Sequence, residues 1–164
     1  MAPPDDPVGP GAPGLSDEDA MALALEEAAA ATAHGDVPVG AVVLLEGQVV
    51  ARRHNERELR ADPTAHAEVL ALQDAARAVG GWRLDGATVV ATLEPCPMCA
   101  GALVAARVSR LVFGAPDPKA GACGTLYNLC SDPRLNHELE VRAGVAAGRA
   151  GELLSAFFSQ RRSR

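Results

Sequence analysis

The chain is organised around the segment EPCPMC at residues 94–99, together with the upstream triplet HAE at residues 66–68. It places two cysteines three positions apart, with a histidine thirty positions before the first of them. This set of residue types supplies three ligands to one zinc ion, and the fourth tetrahedral position stays open for water. The pattern therefore predicts a catalytic rather than a structural metal centre.

Each half of this motif opens a predicted helix. Pro97 suits the first turn of a helix running to about residue 107, so the sulfurs of Cys96 and Cys99 share one helical face. The N-terminus of that helix favours the thiolates that zinc requires. His66 falls in the first turn of a helix predicted over 65–79. Because residues i and i+2 do not share a helical face, we expect Glu68 to act as a general acid/base beside a zinc-activated water, not as a ligand.

The sequence leaves other uses of these cysteines open. A lone C-x-x-C is also a redox motif or half of a structural zinc site. A structural site needs a fourth ligand, and Cys123, Cys130 and His137 are the candidates. The two later cysteines are otherwise read as spare reduced thiols.

The composition of the chain limits its possible fold classes and binding partners. The 164 residues fit one domain, and 48% of them are apolar, which excludes a wholly disordered chain. No apolar run approaches the ~20 residues of a membrane span, and no secretory signal opens the chain, so we expect a cytoplasmic protein with reduced thiols. Net charge is −6, but without its first nineteen residues the chain has sixteen acids against fifteen bases. Basic residues cluster at the opposite end, at Arg161, Arg162 and Arg164.

The order of predicted elements indicates one sheet with helices on both faces. Residues 1–15 are rich in Pro and Gly and predict a disordered tail, followed by a single domain at 16–164. Strands are predicted over 39–45, 48–53, 87–93, 110–114 and 138–143, and 54–62 is predicted to be a loop. Helices are predicted over 17–34, 65–79, 97–107, 125–130 and 146–160. The fold class is therefore α/β, a three-layer α/β/α arrangement on a mixed five-stranded sheet.

Over residues 16–162 the sequence resembles the bacterial tRNA-specific adenosine deaminases of the cytidine deaminase-like superfamily. The H-x-E and P-C-x-x-C pair alone identifies only the superfamily. The more specific resemblance runs through 36–43 (DVPVGAVV), Asn55, 62–68 (DPTAHAE), 92–102 (TLEPCPMCAGA), 112–115 (VFGA), 121–126, 135–137 and 154–162.

This resemblance implies a reaction and a cofactor. The family hydrolyses adenosine to inosine at the wobble position, residue 34, of an arginine tRNA. It implies that His66, Cys96 and Cys99 hold one Zn²⁺ per subunit and that Glu68 shuttles the proton. It also implies a homodimer that meets the tRNA anticodon loop near its subunit interface, with no DNA or membrane partner.

The same resemblance implies substrate contacts along the chain. Base contacts are implied for Asn55, Val37 and the backbone of Ala67, a sugar contact for Asp117, and anticodon-loop contacts for Phe157, Phe158 and Arg161. Which phenylalanine stacks on a base stays open, and Asn55 and Asp117 are also residues that cap turns. Two residues depart from the family pattern: Pro116 stands where related sequences often carry a basic residue, and Pro118 follows Asp117 directly. The loop over 115–122 thereby loses a phosphate contact and becomes stiffer, and Lys119 is the residue within it that can supply the missing charge.

Two other functions compete with this interpretation. The acidic net charge and the single lysine favour a free-base or nucleoside deaminase, of the guanine or cytosine type. The aromatic and basic C-terminal helix favours RNA. A zinc-stabilised RNA-binding protein without catalysis is the non-enzyme alternative, and Glu68 argues against it because a structural site has no use for that carboxylate.

Overall fold

A computed structural model describes residues 14–163 and contains one five-stranded sheet with helices on both of its faces. The strands are β1 (Gly40–Leu45), β2 (Gln48–His54), β3 (Thr88–Leu93), β4 (Arg110–Ala115) and β5 (Glu140–Arg142). The helices are α1 (Asp17–Ala31, continued by a 3₁₀ turn at Thr32–His34), α2 (Arg57–Arg60), α3 (Ala67–Val79), α4 (Pro97–Ala105) and α5 (Ala147–Arg162). None of the helices in this part of the chain combines the length and apolarity needed to cross a membrane.

The strand order is β2-β1-β3-β4-β5. The β1 strand pairs antiparallel with β2 and with β3, whereas β3, β4 and β5 run parallel. The hairpin between β1 and β2 turns at Glu46 and Gly47, which have φ values of 52° and 75°, as a type I′ turn requires. The mixed α/β sheet expected from the sequence is therefore confirmed.

Alternating side chains divide the core into two layers. Along β1, Val43 packs towards α3 and α4, whereas Val42 and Leu44 pack towards α1 and α5. All three are at most 5% exposed, and burying a side chain of this size is worth about 1.5–3 kcal/mol. Helix α1 packs tightly on the sheet at Gly40, where a Cβ atom would lie 1.9 Å from the Ala24 carbonyl oxygen.

The N-terminal boundary follows the sequence. Ser16 is the N-cap residue of α1, and its hydroxyl oxygen accepts the Asp19 N–H at 3.0 Å, as its position predicted. Residues 1–13 of the expected disordered tail, and Arg164, lie outside the described residues. Leu15, the last residue assigned to that tail, donates its N–H to the Gly47 carbonyl at 3.1 Å and so contacts the turn between β1 and β2.

The segment preceding the first metal ligand differs from the prediction. The expected loop over 54–62 contains α2, because the Asp36 carboxylate accepts the N–H groups of Glu58 and Leu59 at 2.9 and 3.2 Å. This cap comes from twenty-two residues away and leaves no local signal. Helix α3 begins at Ala67 and not at residue 65, because the Asp62 carboxylate accepts the Thr64 N–H in a turn of its own.

The helix expected over 125–130 is also wrong. This segment folds back in turns, with Leu126 and Tyr127 both donating N–H groups to the Gly121 carbonyl at 2.9 and 3.2 Å. A single bridge then pairs Cys123 with Asn128. The chain returns here to cover the end of β3, and that tertiary role overrides the local helical preference.

Candidate metal centre and substrate cleft

The three expected metal ligands meet where two helices begin. His66 is the N-cap residue of α3, Cys96 is the N-cap residue of α4, and Cys99 lies in the first turn of α4. The Nδ1 atom of His66 is 3.6 Å from Cys96 Sγ and 3.4 Å from Cys99 Sγ. Ligands on one tetrahedral zinc, with Zn–S of about 2.3 Å and Zn–N of about 2.0–2.1 Å, lie about 3.5 Å apart. These three side chains therefore fit a zinc ion.

The proton affinities of the cysteines suit a cation. A hydrogen bond from Cys99 lowers the pKa of Cys96 to about 4, even though burial opposes the charge. The pKa of Cys99 is raised by the same bond and by burial. A bound divalent cation would deprotonate both cysteines, because metal-bound thiols are thiolates.

The fourth-ligand candidates have other partners. Among residues 14–163, His66, Cys96 and Cys99 form the group of potential ligands whose atoms all lie within 4.8 Å of one another. Cys130 Sγ lies 3.5 Å from Cys123 Sγ, and His137 Nε2 lies 2.6 Å from the Val108 carbonyl oxygen. The geometry thus leaves a coordination position for a non-protein ligand, as in catalytic zinc sites.

Glu68 lies beside this centre without joining the ligand group. It is 4% exposed, and its Oε2 accepts a hydrogen bond from Cys99 Sγ at 3.4 Å. Burial raises the pKa of this carboxyl group above its usual range. A carboxyl group that holds its proton more tightly than usual is suited to both accepting and donating one near neutral pH.

Asn55 connects the end of β2 to the metal-bearing helix. Its Oδ1 accepts the Ala67 N–H at 2.9 Å, and its Nδ2 donates to the Val37 carbonyl at 3.1 Å. Each end of the amide retains one further hydrogen-bonding position, because the oxygen has two lone pairs and the nitrogen two hydrogens. The amide is therefore held in place and still able to bind a base edge.

A cleft of about 180 Å³ lies over the metal centre. Its walls include most of the residues that the sequence singled out, namely Val37, Asn55, His66, Glu68, Cys96 and Asp117. Ala67 is fully buried, and its N–H is directed to Asn55 and not into the cleft. Cys99 is fully buried and does not line the cleft.

Sequence reasoning missed other residues that line this cleft, namely Val39, Arg57, Leu93, Glu94 and Ala120. No sequence pattern pointed to Arg57, because the helix that carries it was expected to be a loop. For Glu94 the sequence did contain an indication. It is a carboxylate placed between the aliphatic end of β3 and a metal-binding motif, and it is 1% exposed.

Two further hollows extend from the cleft to the C-terminal helix. The first, of about 400 Å³, shares Val37, Leu93 and Asp117 with the cleft and reaches Phe158. The second, of about 490 Å³, shares Phe158 with the first and is bordered by cationic Lys119, Arg161 and Arg162 among others. A continuous, increasingly basic surface therefore runs from the metal centre to α5.

The two C-terminal phenylalanines have different environments. Phe157 is 8% exposed, and Arg161 lies over its ring at 4.6 Å while donating to the Gly35 carbonyl at 2.6 Å. Phe158 is 45% exposed and meets Phe157 edge-on at 5.4 Å. Phe158 is thus the ring with a face available from solvent.

Comparison with known proteins places this arrangement in a family. The family model for MafB19-like deaminases matches residues 15–162. A tRNA-specific adenosine deaminase of Bacillus subtilis (strain 168) is 51% identical over 148 residues, which cover 90% of this chain and 92% of that one. A solved structure from work on A-to-I editing by tRNA:A34 deaminases at the wobble position superposes with a TM-score of 0.80 and 44% identity, covering 82% and 98% of the two chains.

A more distant similarity concerns the competing substrate class. A guanine deaminase from Nitrosomonas europaea superposes with a TM-score of 0.74 at 27% identity, covering 90% of this chain and 87% of that one. The shared fold explains this likeness. The higher identity to tRNA-specific enzymes favours RNA as the substrate over a free base.

Proposed function

This chain belongs to the tRNA-specific adenosine deaminase family, and from that premise we propose that it hydrolyses adenosine to inosine at position 34 of a tRNA, with ammonia as the second product. One observation carries the proposal. The buried Glu68 carboxylate lies beside the His66, Cys96 and Cys99 group at the bottom of a cleft that opens towards a basic, aromatic helix.

The cofactor in this proposal is one Zn²⁺ per subunit, held by His66, Cys96 and Cys99. When bound, zinc lowers the pKa of a coordinated water and so provides a nucleophile at neutral pH. The protein moves the protons. Glu68 accepts one proton from the attacking water and passes it to the purine ring. It then takes the remaining proton from the new C6 hydroxyl group and gives it to the exocyclic amine, which leaves as ammonia while the inosine carbonyl forms.

The cleft selects and holds the nucleoside. Asn55 offers one acceptor and one donor position to the edge of the base, and Val37 supplies an apolar wall. Asp117 lines the mouth of the same cleft, where a carboxylate accepts a hydrogen bond from a ribose 2′-hydroxyl. A contact of this kind distinguishes RNA from DNA.

The hollows beyond the cleft suit the rest of an anticodon loop. Phe158 offers an exposed ring for a splayed base, and Lys119 and Arg162 supply positive charge for the backbone. Arg161 contributes charge from a fixed position, because its guanidinium is bonded to Gly35. A cluster of this kind lets an acidic protein bind RNA through a local patch.

We also propose that the enzyme is a cytoplasmic homodimer. The outer faces of α3 and α4 support this, because they form an apolar hollow of about 330 Å³ that includes Leu72 and Ala102. Trp82 borders that hollow and is 61% exposed. Light scattering after gel filtration tests the oligomeric state, and a monomer at micromolar concentration would contradict it.

The test of the function is inosine formation in an anticodon stem-loop. We expect the zinc-loaded protein to convert adenosine at position 34 of an arginine-tRNA stem-loop. The matched RNA with adenosine moved to a stem position serves as the control. Guanine and cytidine, supplied in parallel, should release no ammonia. Ammonia from guanine without inosine in the RNA would replace this proposal with the free-base one.

A further inference from the structure

Glu94 is a buried carboxylate that the chemistry above does not use. It follows the last residue of β3 and is 1% exposed. Its Oε1 accepts the Asp117 N–H at 3.1 Å and the Thr125 hydroxyl at a shorter distance. Its Oε2 accepts the N–H groups of Cys123 and Thr125, both at 3.1 Å. A carboxylate only accepts hydrogen bonds and has about four lone-pair positions, so these four donors fill it.

The loop over 116–125 is wrapped around this side chain. Between Pro116 and Pro118 only Asp117 has a backbone N–H, and that group is donated to Glu94. At Gly121 a Cβ atom would lie 2.5 Å from the Glu94 carboxyl carbon, so a side chain there would displace either the carboxylate or the loop. The loop conformation therefore depends on a charge contributed by the neighbouring strand.

Asp117 is bonded to this loop through one carboxylate oxygen and also lines the cleft. Its Oδ1 accepts the N–H groups of Lys119 and Ala120 at 2.9 and 3.2 Å. Within residues 14–163, Oδ2 has no hydrogen-bond partner, and Asp117 lines the substrate cleft. The direction of this free oxygen follows from the backbone position of Asp117, which Glu94 fixes through the N–H.

We propose that Glu94 is a positioning residue for substrate binding, which holds the 116–125 loop so that Asp117 presents one carboxylate oxygen to the ribose of the bound nucleotide. The proposal rests on the proposed function for its substrate. Glu94 acts through Asp117 and does not touch the reacting atoms. Its loss should therefore weaken RNA binding while His66, Cys96, Cys99 and Glu68 keep their chemistry, because the hydrogen-bond partners of the Glu94 carboxylate are Asp117, Cys123 and Thr125.

Two variants separate this role from simple structural support. In Glu94→Gln one oxygen becomes an NH₂ donor, which must face either the Asp117 N–H or the N–H groups of Cys123 and Thr125. Thr125→Val removes only the hydroxyl bond and remains informative if the first variant folds poorly. Ser109→Ala is the control, because its hydroxyl accepts the Gly86 N–H at the opposite end of the sheet.

Steady-state kinetics on the anticodon stem-loop give the main readout. We expect Glu94→Gln to raise KM by about tenfold or more and Thr125→Val by about threefold, with kcat within about threefold and zinc content unchanged. Ser109→Ala should leave KM unchanged. In an Asp117→Ala background, Glu94→Gln should add less than about twofold to KM. An unchanged KM in both variants, an effect on kcat alone, or additive KM effects would each overturn the proposal.

A second readout does not need the proposed substrate. In Glu94→Gln we expect the Asp117, Cys123 and Thr125 amides to lose protection from hydrogen exchange, whereas in Ser109→Ala they keep it. Equal protection in the two variants would disprove the claim that Glu94 holds the 116–125 loop. If the parent enzyme made no inosine but Glu94→Gln still lost this protection, the proposed function would be refuted. The role of Glu94 in holding the loop would still stand.

Discussion

Asn55 Oδ1 accepts the backbone N–H of Ala67 at 2.9 Å, which joins the end of β2 to the first residue of the helix that follows His66. The same side chain donates to Val37. We therefore expect base recognition and metal geometry to be coupled through this amide, since any movement of Asn55 is transmitted to the backbone next to a ligand.

Replacing this amide should impair both stability and substrate binding. Asn55→Ala leaves the Ala67 N–H and the Val37 carbonyl without their partner, which we expect to cost about 2 kcal/mol of unfolding free energy. It should also raise KM for the RNA, because the base loses a donor and an acceptor. Urea unfolding and stem-loop kinetics measure the two effects. Asn128→Ala is the control, since that residue is exposed and away from the cleft, and it should change neither quantity.

Glu68→Gln should abolish turnover without releasing the metal. The substitution keeps the size of a side chain that is 4% exposed but removes its ability to transfer a proton, so we expect kcat to fall about a thousandfold. Zinc content, measured by mass spectrometry of the purified protein, should match the parent. Exposed Glu138→Gln serves as the control. Deamination at the parent rate by Glu68→Gln would refute the proton-shuttle role.

The N-terminus of α1 should make stability depend on acidic pH. The Asp17 carboxylate accepts hydrogen bonds at 2.7 Å from both terminal nitrogens of Arg110, and one at 2.6 Å from Arg142. The bond from Arg110, reinforced by Arg142 and only partly offset by burial, lowers the pKa of Asp17 from 3.8 to about 2. A lowered folded-state pKa adds stability above the unfolded value, and this contribution disappears as the pH falls through the folded value.

Asp17→Asn should therefore lower the unfolding free energy by about 1 kcal/mol at neutral pH, after allowance for solvent screening. The difference from the parent should shrink between about pH 4 and pH 2. Asp132→Asn is a matched comparison, because Arg134 lowers the pKa of Asp132 to about 2 as well. That pair is two residues apart and can form in the unfolded chain, so its loss should change stability less. Equal effects of the two variants would contradict this account.

The sequence predicted the fold and the metal group because both depend on local patterns. Apolar runs marked β1, β3 and β4, and the C-x-x-C after a strand marked the start of α4. The ligands needed only a histidine and two cysteines at helix N-termini. The family resemblance then supplied Asn55 and Asp117, which do line the cleft.

The features that were missed depend on long-range hydrogen bonds. Helix α2 exists because Asp36, twenty-two residues earlier, caps it. The 116–125 loop takes its shape from Glu94, and the segment after it folds back on Gly121 instead of forming a helix. A single sequence shows the residue types at such positions but not which distant donors they accept. The sequence also could not show which of Phe157 and Phe158 is buried. The two are adjacent residues of the same type, and they differ only in the direction in which α5 orients each ring.

These two phenylalanines offer a matched pair of substitutions on α5. Phe158 is 45% exposed at the junction of the two outer hollows, so Phe158→Ala should leave the unfolding free energy within about 0.5 kcal/mol of the parent. It should raise KM for the stem-loop roughly tenfold, through the loss of one base-stacking surface. Phe157→Ala should instead cost about 3 kcal/mol, because that ring is 8% exposed and supports Arg161. Thermal unfolding and RNA kinetics on both variants separate the roles. If Phe157→Ala raised KM at unchanged stability while Phe158→Ala had no effect on KM, the assignment of the stacking ring would be reversed.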